Sequence, residues 1–130
     1  MRYSFLLFLL AVFLPSTSFA KWVEIGYNSD LKVTVYLDDV TPIKIQKKLQ
    51  TKILYNFASS SYDRNIMHKS EIETVGIYCN SKGFTLDNVA WLSDSMGLGG
   101  IVWETKNNTL QVIKAKTVYE AVYIKVCNLR

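Results

Sequence analysis

"IYCNSKGFTLDNVAWLSDSMGLGG" runs from Ile77 to Gly100, and its reading decides the fold. Asn80-Ser81-Lys82-Gly83 is turn chemistry between two apolar runs. Glu71–Cys79 and Phe84–Leu92 are therefore expected to form a hairpin. A four-residue loop over Asn80–Gly83 pairs Cys79 with Phe84 and Ile77 with Leu86, with Gly83 taking the left-handed conformation. In that register Cys79 shares a face with Ile77, Phe84 and Leu86 and points into the core. Whatever carries Cys127 must lie on that face. Trp91 falls on the opposite face, near Ile72, which makes it the candidate for an exposed apolar patch.

The chemistry of the cysteines depends on compartment. Arg2 precedes an unbroken apolar run, Phe5–Leu14, which Pro15-Ser16-Thr17 ends. Ser18-Phe19-Ala20 then puts small residues at the −3 and −1 positions of a cleavage site. Residues 1–20 read as a secretory signal peptide, cleaved between Ala20 and Lys21. The apolar run is too short to span a bilayer. No cysteine follows it, so a lipoprotein is not expected. Residues 21–130 are expected to form one domain with one modest core. No later stretch is apolar enough to cross a membrane as a helix. Without Arg2 the chain carries 14 basic and 11 acidic residues, a net charge of +3. That balance is too weak to imply nucleic acid.

The two cysteines, Cys79 and Cys127, form an even set in an exported chain, where a disulfide is the default. Metal binding is the weaker reading, because the chain has one histidine, His68, and no ligand-like spacing. A cysteine nucleophile would need His68 as base, and its Met67-His68-Lys69 setting reads as a polar loop. Gly97-Leu98-Gly99-Gly100 lacks the Lys-Ser/Thr of a phosphate-binding loop and reads as a mobile inter-strand loop. Asp38-Asp39 resembles a carboxylate pair, but neighbours on a strand point to opposite faces. No cofactor and no enzymatic activity are expected.

Most of the remaining chain reads as short strands. Trp22–Tyr27 is followed by turn residues Asn28-Ser29-Asp30, and Lys32–Leu37 alternates strictly. Beyond Pro42, a three-residue loop Gln46-Lys47-Lys48 would pair Ile45 with Leu49 and Lys44 with Gln50, keeping the isoleucines on the apolar face. Lys44, Lys48 and Lys52 would then share the solvent face, with Lys47 at the tip. That cluster is a candidate contact for an acidic partner; equally, lysines protect an edge strand from aggregation. Ala58–Ser70 reads as a polar connection. Gly100–Glu104 and Thr109–Ile113 suggest a last hairpin around Lys106-Asn107-Asn108. Val118–Val126 has strand-like composition, but Thr117 and Glu120 form a capping box, and a helix is expected. The fold class is α+β: an antiparallel sheet of about six strands, with a C-terminal helix packed on one face and pinned by the disulfide.

Several of these segments, in this order and spacing, resemble the surface-adhesin protein E family of Gram-negative bacteria. They are Trp22, "VYLDDVTPI" from Val35 to Ile43, "ILYNF" from Ile53 to Phe57, Cys79, the Gly97–Gly100 segment and "TVYEAVYIKVC" from Thr117 to Cys127. The resemblance implies an exported, non-enzymatic binding protein in the periplasm, secreted or on the surface. It implies a protein partner, a host matrix or plasma protein such as vitronectin or laminin, and a homodimer. The family includes a surface lipoprotein, whereas this chain lacks the lipid-attachment cysteine. Two other readings compete. One is a periplasmic inhibitor of an enzyme such as a lysozyme, acting through Asp94–Gly100. The other is a structural envelope protein.

The leader reading makes a direct prediction. Intact mass of the exported protein should correspond to a chain beginning at Lys21 with no acyl group. A mass that retains residues 1–20, or that carries acyl chains, would refute it.

Overall fold

The structure, a computed structural model, describes residues 21–128. The leader and Ala20 lie outside the described residues. Seven strands form one antiparallel sheet: β1 Trp22–Asn28, β2 Val33–Asp38, β3 Ile43–Ile45, β4 Lys48–Asp63, β5 Ile66–Tyr78, β6 Gly83–Leu92 and β7 Ile101–Val112. They run in the order β1-β2-β4-β5-β6-β7, with β3 attached to β4 beside β2. One helix, α1 Val118–Val126, closes the described chain. The first hairpin follows from its turn chemistry: the Asn28 side chain accepts from the Leu31 N–H at 3.0 Å.

Four expectations need correction. Ala58–Ser70 is not a loose connection. β4 passes a bulge between Asn56 and Ser61, then pairs Ser61 with His68 and Asp63 with Ile66. Arg64 and Asn65 make the turn with left-handed φ of 50° and 62°, which suits a tight hairpin. His68 therefore lies on a strand and is buried.

The hairpin over Asn80–Gly83 is present but displaced by two residues. Ile77 pairs with Phe84 and Tyr78 with Gly83. A shift of two preserves the faces, so Ile77 and Phe84 still enter the core. Lys82, not Gly83, takes the left-handed φ of 51°. Gly83 is needed for a different reason: a Cβ there would meet Leu110 Cδ1 at 2.9 Å.

The expected last hairpin is a single strand. β7 runs the length of β6, and its polar Lys106-Asn107-Asn108 stretch is absorbed by irregular register. The hairpin joining β3 to β4 turns on two residues, Gln46 and Lys47, with Gln46 at φ 54°. Its consequences belong to the binding surface below.

The capping box forms at α1. Thr117 Oγ1 accepts from Glu120 N at 3.3 Å, and Glu120 Oε1 accepts from Lys116 N at 3.3 Å. Val122 is fully buried in one cluster with Val33, Val35, Ile53, Val75, Ile77, Phe84 and Ile113. Cys79 and Cys127 are joined in a disulfide across a Cα–Cα distance of 5.7 Å. The opposite face is capped differently. The loop after β6, with one turn of 3₁₀ helix at Ser95–Gly97, sits over Leu54 and Ile72. A Cβ on Gly97 would lie 2.8 Å from Ile72 Cδ1.

The disulfide closes a loop with a sequence separation of 48. Chain entropy assigns such a closure about 4 kcal/mol. Replacing both cysteines with alanine should lower unfolding free energy by about that amount in urea titrations and weaken the helical circular-dichroism signal first. An unchanged midpoint would show that the helix holds its place without the covalent tie.

Candidate functional site

The two-residue turn changes what the lysine hairpin presents. Ile45 pairs with Lys48, Lys44 with Leu49 and Ile43 with Gln50. Cross-strand partners share a face. Ile43 and Ile45 therefore stand with Gln50 and Lys52, away from the core residues Leu49 and Ile53. They are 62% and 38% exposed. Lys44 goes to the other face, and Lys47 sits in the turn. The expected common lysine face is thus corrected. Lys44, Lys47 and Lys52 are exposed but point in different directions around two bare isoleucines.

Lys48 is drawn partly out of solvent, its side chain 21% exposed. Its ammonium lies 2.9 Å from Asp87 Oδ2. Gln50 Nε2 donates to the same oxygen at 2.9 Å, and Thr85 Oγ1 donates to Oδ1 at 2.7 Å. Burial pushes the Asp87 carboxyl up, but the hydrogen bonds from Gln50, Lys48 and Thr85 outweigh it and hold the group below its usual range. The Lys48 stem crosses Gly76, where a Cβ would meet Lys48 Cδ at 2.7 Å. Lys48 is a structural anchor.

Trp91 is also corrected, from exposed patch to core. Thr74 pairs with Asn88 but Val75 pairs with Leu86, so Asp87 is an extra residue in β6. The bulge reverses parity beyond it. Trp91 consequently pairs with Glu71, stacks on His68 at 4.3 Å and packs against Trp103 at 4.2 Å. It is 6% exposed. The Arg64 guanidinium lies 5.4 Å from the Trp103 ring centre.

Beside this stack lie two carboxyls, Glu71 and Glu73, on one face of β5. Trp91 Nε1 donates to Glu71 Oε1 at 3.3 Å, and the Tyr119 hydroxyl donates to Glu73 at 2.9 Å. Burial, then the charge of Glu73, pushes Glu71 up to about 7 despite the Trp91 bond. Burial also raises Glu73, against hydrogen bonds from Tyr55 and Tyr119. Burial and the Glu73 charge push the Tyr55 and Tyr119 hydroxyls above their ordinary range. The Tyr119–Glu73 contact joins α1 to the sheet.

The Asp94–Gly100 loop is anchored, contrary to the mobile loop expected. Ser70 Oγ donates to Asp94 O at 2.6 Å and accepts from Gly97 N at 2.9 Å. Asn56 Oδ1 accepts from Met96 N at 2.7 Å. The glycines serve geometry: Gly97 and Gly99 take φ of 73° and 81°.

The family model for surface-adhesin protein E matches residues 22–128, from the first strand to just past the second cysteine. The chain belongs to the surface-adhesin protein E family. Membership points to a surface adhesin-like role. No curated protein matches the chain. Among the described residues no helix is long and apolar enough to cross a membrane. On the hairpin joining β3 to β4, Lys52 shares the face of Ile43 and Ile45, Lys47 sits in the turn and Lys44 lies on the opposite face. The isoleucines were missed because the turn lacks the Gly or Asn that signals a two-residue loop. The Asp87-Asn88 pair was the available clue to the bulge, since both residues are poor strand formers.

The Glu71–Glu73 site has a pH signature. The unfolded carboxyl of Glu71 titrates at 4.5 and the folded one at about 7. The fold holds that proton more tightly, so its contribution is full below pH 4.5 and lost as pH rises through 7. Thermal melts should show higher stability at pH 5 than at pH 8. Glu71→Gln, which keeps the acceptor for Trp91, should stabilise the protein at pH 8 by on the order of 2 kcal/mol and flatten the profile. A variant less stable than the parent at pH 8 would contradict this.

Proposed function

We propose that this protein is an exported, non-enzymatic binding protein of the adhesin E type that holds a host matrix or plasma protein through the β3–β4 hairpin. The observation that carries the reading is the exposure of Ile43 and Ile45 on a short edge strand, with Lys52 on their face, Lys47 in the turn and Lys44 at the strand's other face. An apolar centre with a charged rim is the common anatomy of a protein interface. The isoleucines supply area to bury, and the lysines attract an acidic partner surface and speed encounter. Among the described residues the other side of β3 has no strand partner, so its backbone groups are open to an added strand.

Vitronectin and laminin are the partners to test, by surface plasmon resonance on the exported protein. Ile43→Ser with Ile45→Ser should weaken binding at least tenfold through faster dissociation. Lys44→Gln, Lys47→Gln and Lys52→Gln together should slow association and reduce its salt dependence, since exposed charges are screened beyond about 8 Å at physiological salt. Thermal stability should hardly change, because exposed positions of this kind contribute within about 0.5 kcal/mol. Undiminished binding by both variants would remove the hairpin from the interface. Loss of a homodimer in sedimentation, with partner binding intact, would reassign it to self-association.

A further inference from the structure

The loop between β2 and β3 leaves a gap in the sheet. β2 reaches β4 as far as Leu37 opposite Ile53, and β3 begins with Ile43 opposite Gln50. Among the described residues Thr51 and Lys52 therefore have no ladder partner on that side. Beside this gap is a groove of about 310 Å³, walled by the Asp38–Pro42 loop on one side and the end of α1 on the other. Its volume sits at the low end of ordinary small-molecule sites, enough for one or two residues of peptide.

The lining is sorted by chemistry. Val23, Ile25, Leu37 and Val126 supply an apolar floor. Asp38 and Asp39 line the loop wall, and Lys125 lines the helix wall. The aspartates are thus brought to one cavity despite adjacency, because Asp39 lies past the end of β2. Asp38 Oδ1 accepts from Val40 N at 3.0 Å, which fixes the carboxylate and leaves its second oxygen without that duty. Asp39 faces Lys21 at 3.9 Å, but the two side chains are 52% and 80% exposed. So open a pair holds its partners weakly, and a ligand ammonium can replace Lys21.

An apolar floor between opposite charges selects against several ligand classes. A fatty acid pairs with Lys125 but leaves the two aspartates unmatched. A simple cationic amphiphile pairs with the aspartates but leaves Lys125 unmatched. A zwitterion with an aliphatic body satisfies both walls and the floor. We propose that this groove binds short apolar peptides or amino acids, with the ammonium on Asp38 and Asp39, the carboxylate on Lys125 and the side chains on the floor. The site is separate from the exposed isoleucine face of the hairpin.

The probe is L-leucyl-L-leucine, titrated into the exported, oxidised protein with backbone amide shifts as readout. Saturable shifts should concentrate at Leu37, Val40 and Val126. N-acetylation of the probe should weaken binding about fivefold, and amidation of its carboxyl should do the same, the effect of losing one half-exposed ion pair. Lys125→Gln should erase the penalty of amidation alone. Asp38→Asn with Asp39→Asn, which keeps the acceptor for Val40 N, should erase the penalty of acetylation alone. Dileucine that leaves these amides unmoved would overturn the proposal. So would a doubly blocked dileucine that binds as well as the free form, since the groove would then be merely apolar.

Discussion

One carboxylate organises the outer face of the central sheet. Asp87 gathers Lys48 from β4, Gln50 from β4 and Thr85 from its own strand. The contact crosses β5 at Gly76, where a side chain would collide with both Lys48 and Thr85. Charge-assisted hydrogen bonds of this kind are stronger than neutral ones and fix direction. Here they tie three adjacent strands on a face that has little apolar cover at that end. The same residue is the extra one in β6. Its bulge turns Asp87 toward its partners and also reverses the parity of everything after it. Val89 and Trp91 enter the buried face for that reason.

That bulge separates what could be read from the sequence and what could not. Turn residues and alternation were sufficient for β1, β2 and the existence of the β5–β6 hairpin. The capping box identified α1 against the strand-like composition of "VYEAVYIKV". The disulfide followed from inward parity and an even cysteine count. Register is another matter. A shift of two leaves every face unchanged, so Cys79 was placed inward from the wrong pairing. A single bulge or a turn shorter by one residue does flip faces, which is why Trp91 and the two isoleucines were misplaced. Side-chain alternation in Ile43–Ile45 and Lys48–Lys52 fits either loop length. Only the turn decides, and Gln46 adopts a positive φ without being a residue that announces it. Likewise, Ser59-Ser60-Ser61 looks like a loop, yet a strand with a bulge accommodates it.

The candidate surface was therefore half legible. Its lysines stand out by composition, and three of them are exposed as expected. Its apolar centre does not stand out, because isoleucine on a short strand ordinarily means core. Lys48 could not be distinguished from its neighbours either. Its role depends on Gly76 and Asp87, 28 and 39 positions away, both brought to it by pairing.

The structure divides labour along the sheet. β4, β5 and β6 are held by the Asp87 hub on one face and by the helix, disulfide and aromatic stack on the other. The exposed apolar groups lie mainly on elements outside that block, at β3, at the loop leading into it and along β7. Lys48 belongs to both parts. It is the first residue of β4 after the turn, so the bond that closes the core also fixes the root of the hairpin. A flexible hairpin would lose conformational entropy on binding, at about 0.5–1.5 kcal/mol for each side chain immobilised. Rooted at Lys48 and Gln50, the short strand carrying Ile43 and Ile45 begins closer to its bound geometry. Stability of the centre and readiness of the tip thus come from the same part-buried ion pair.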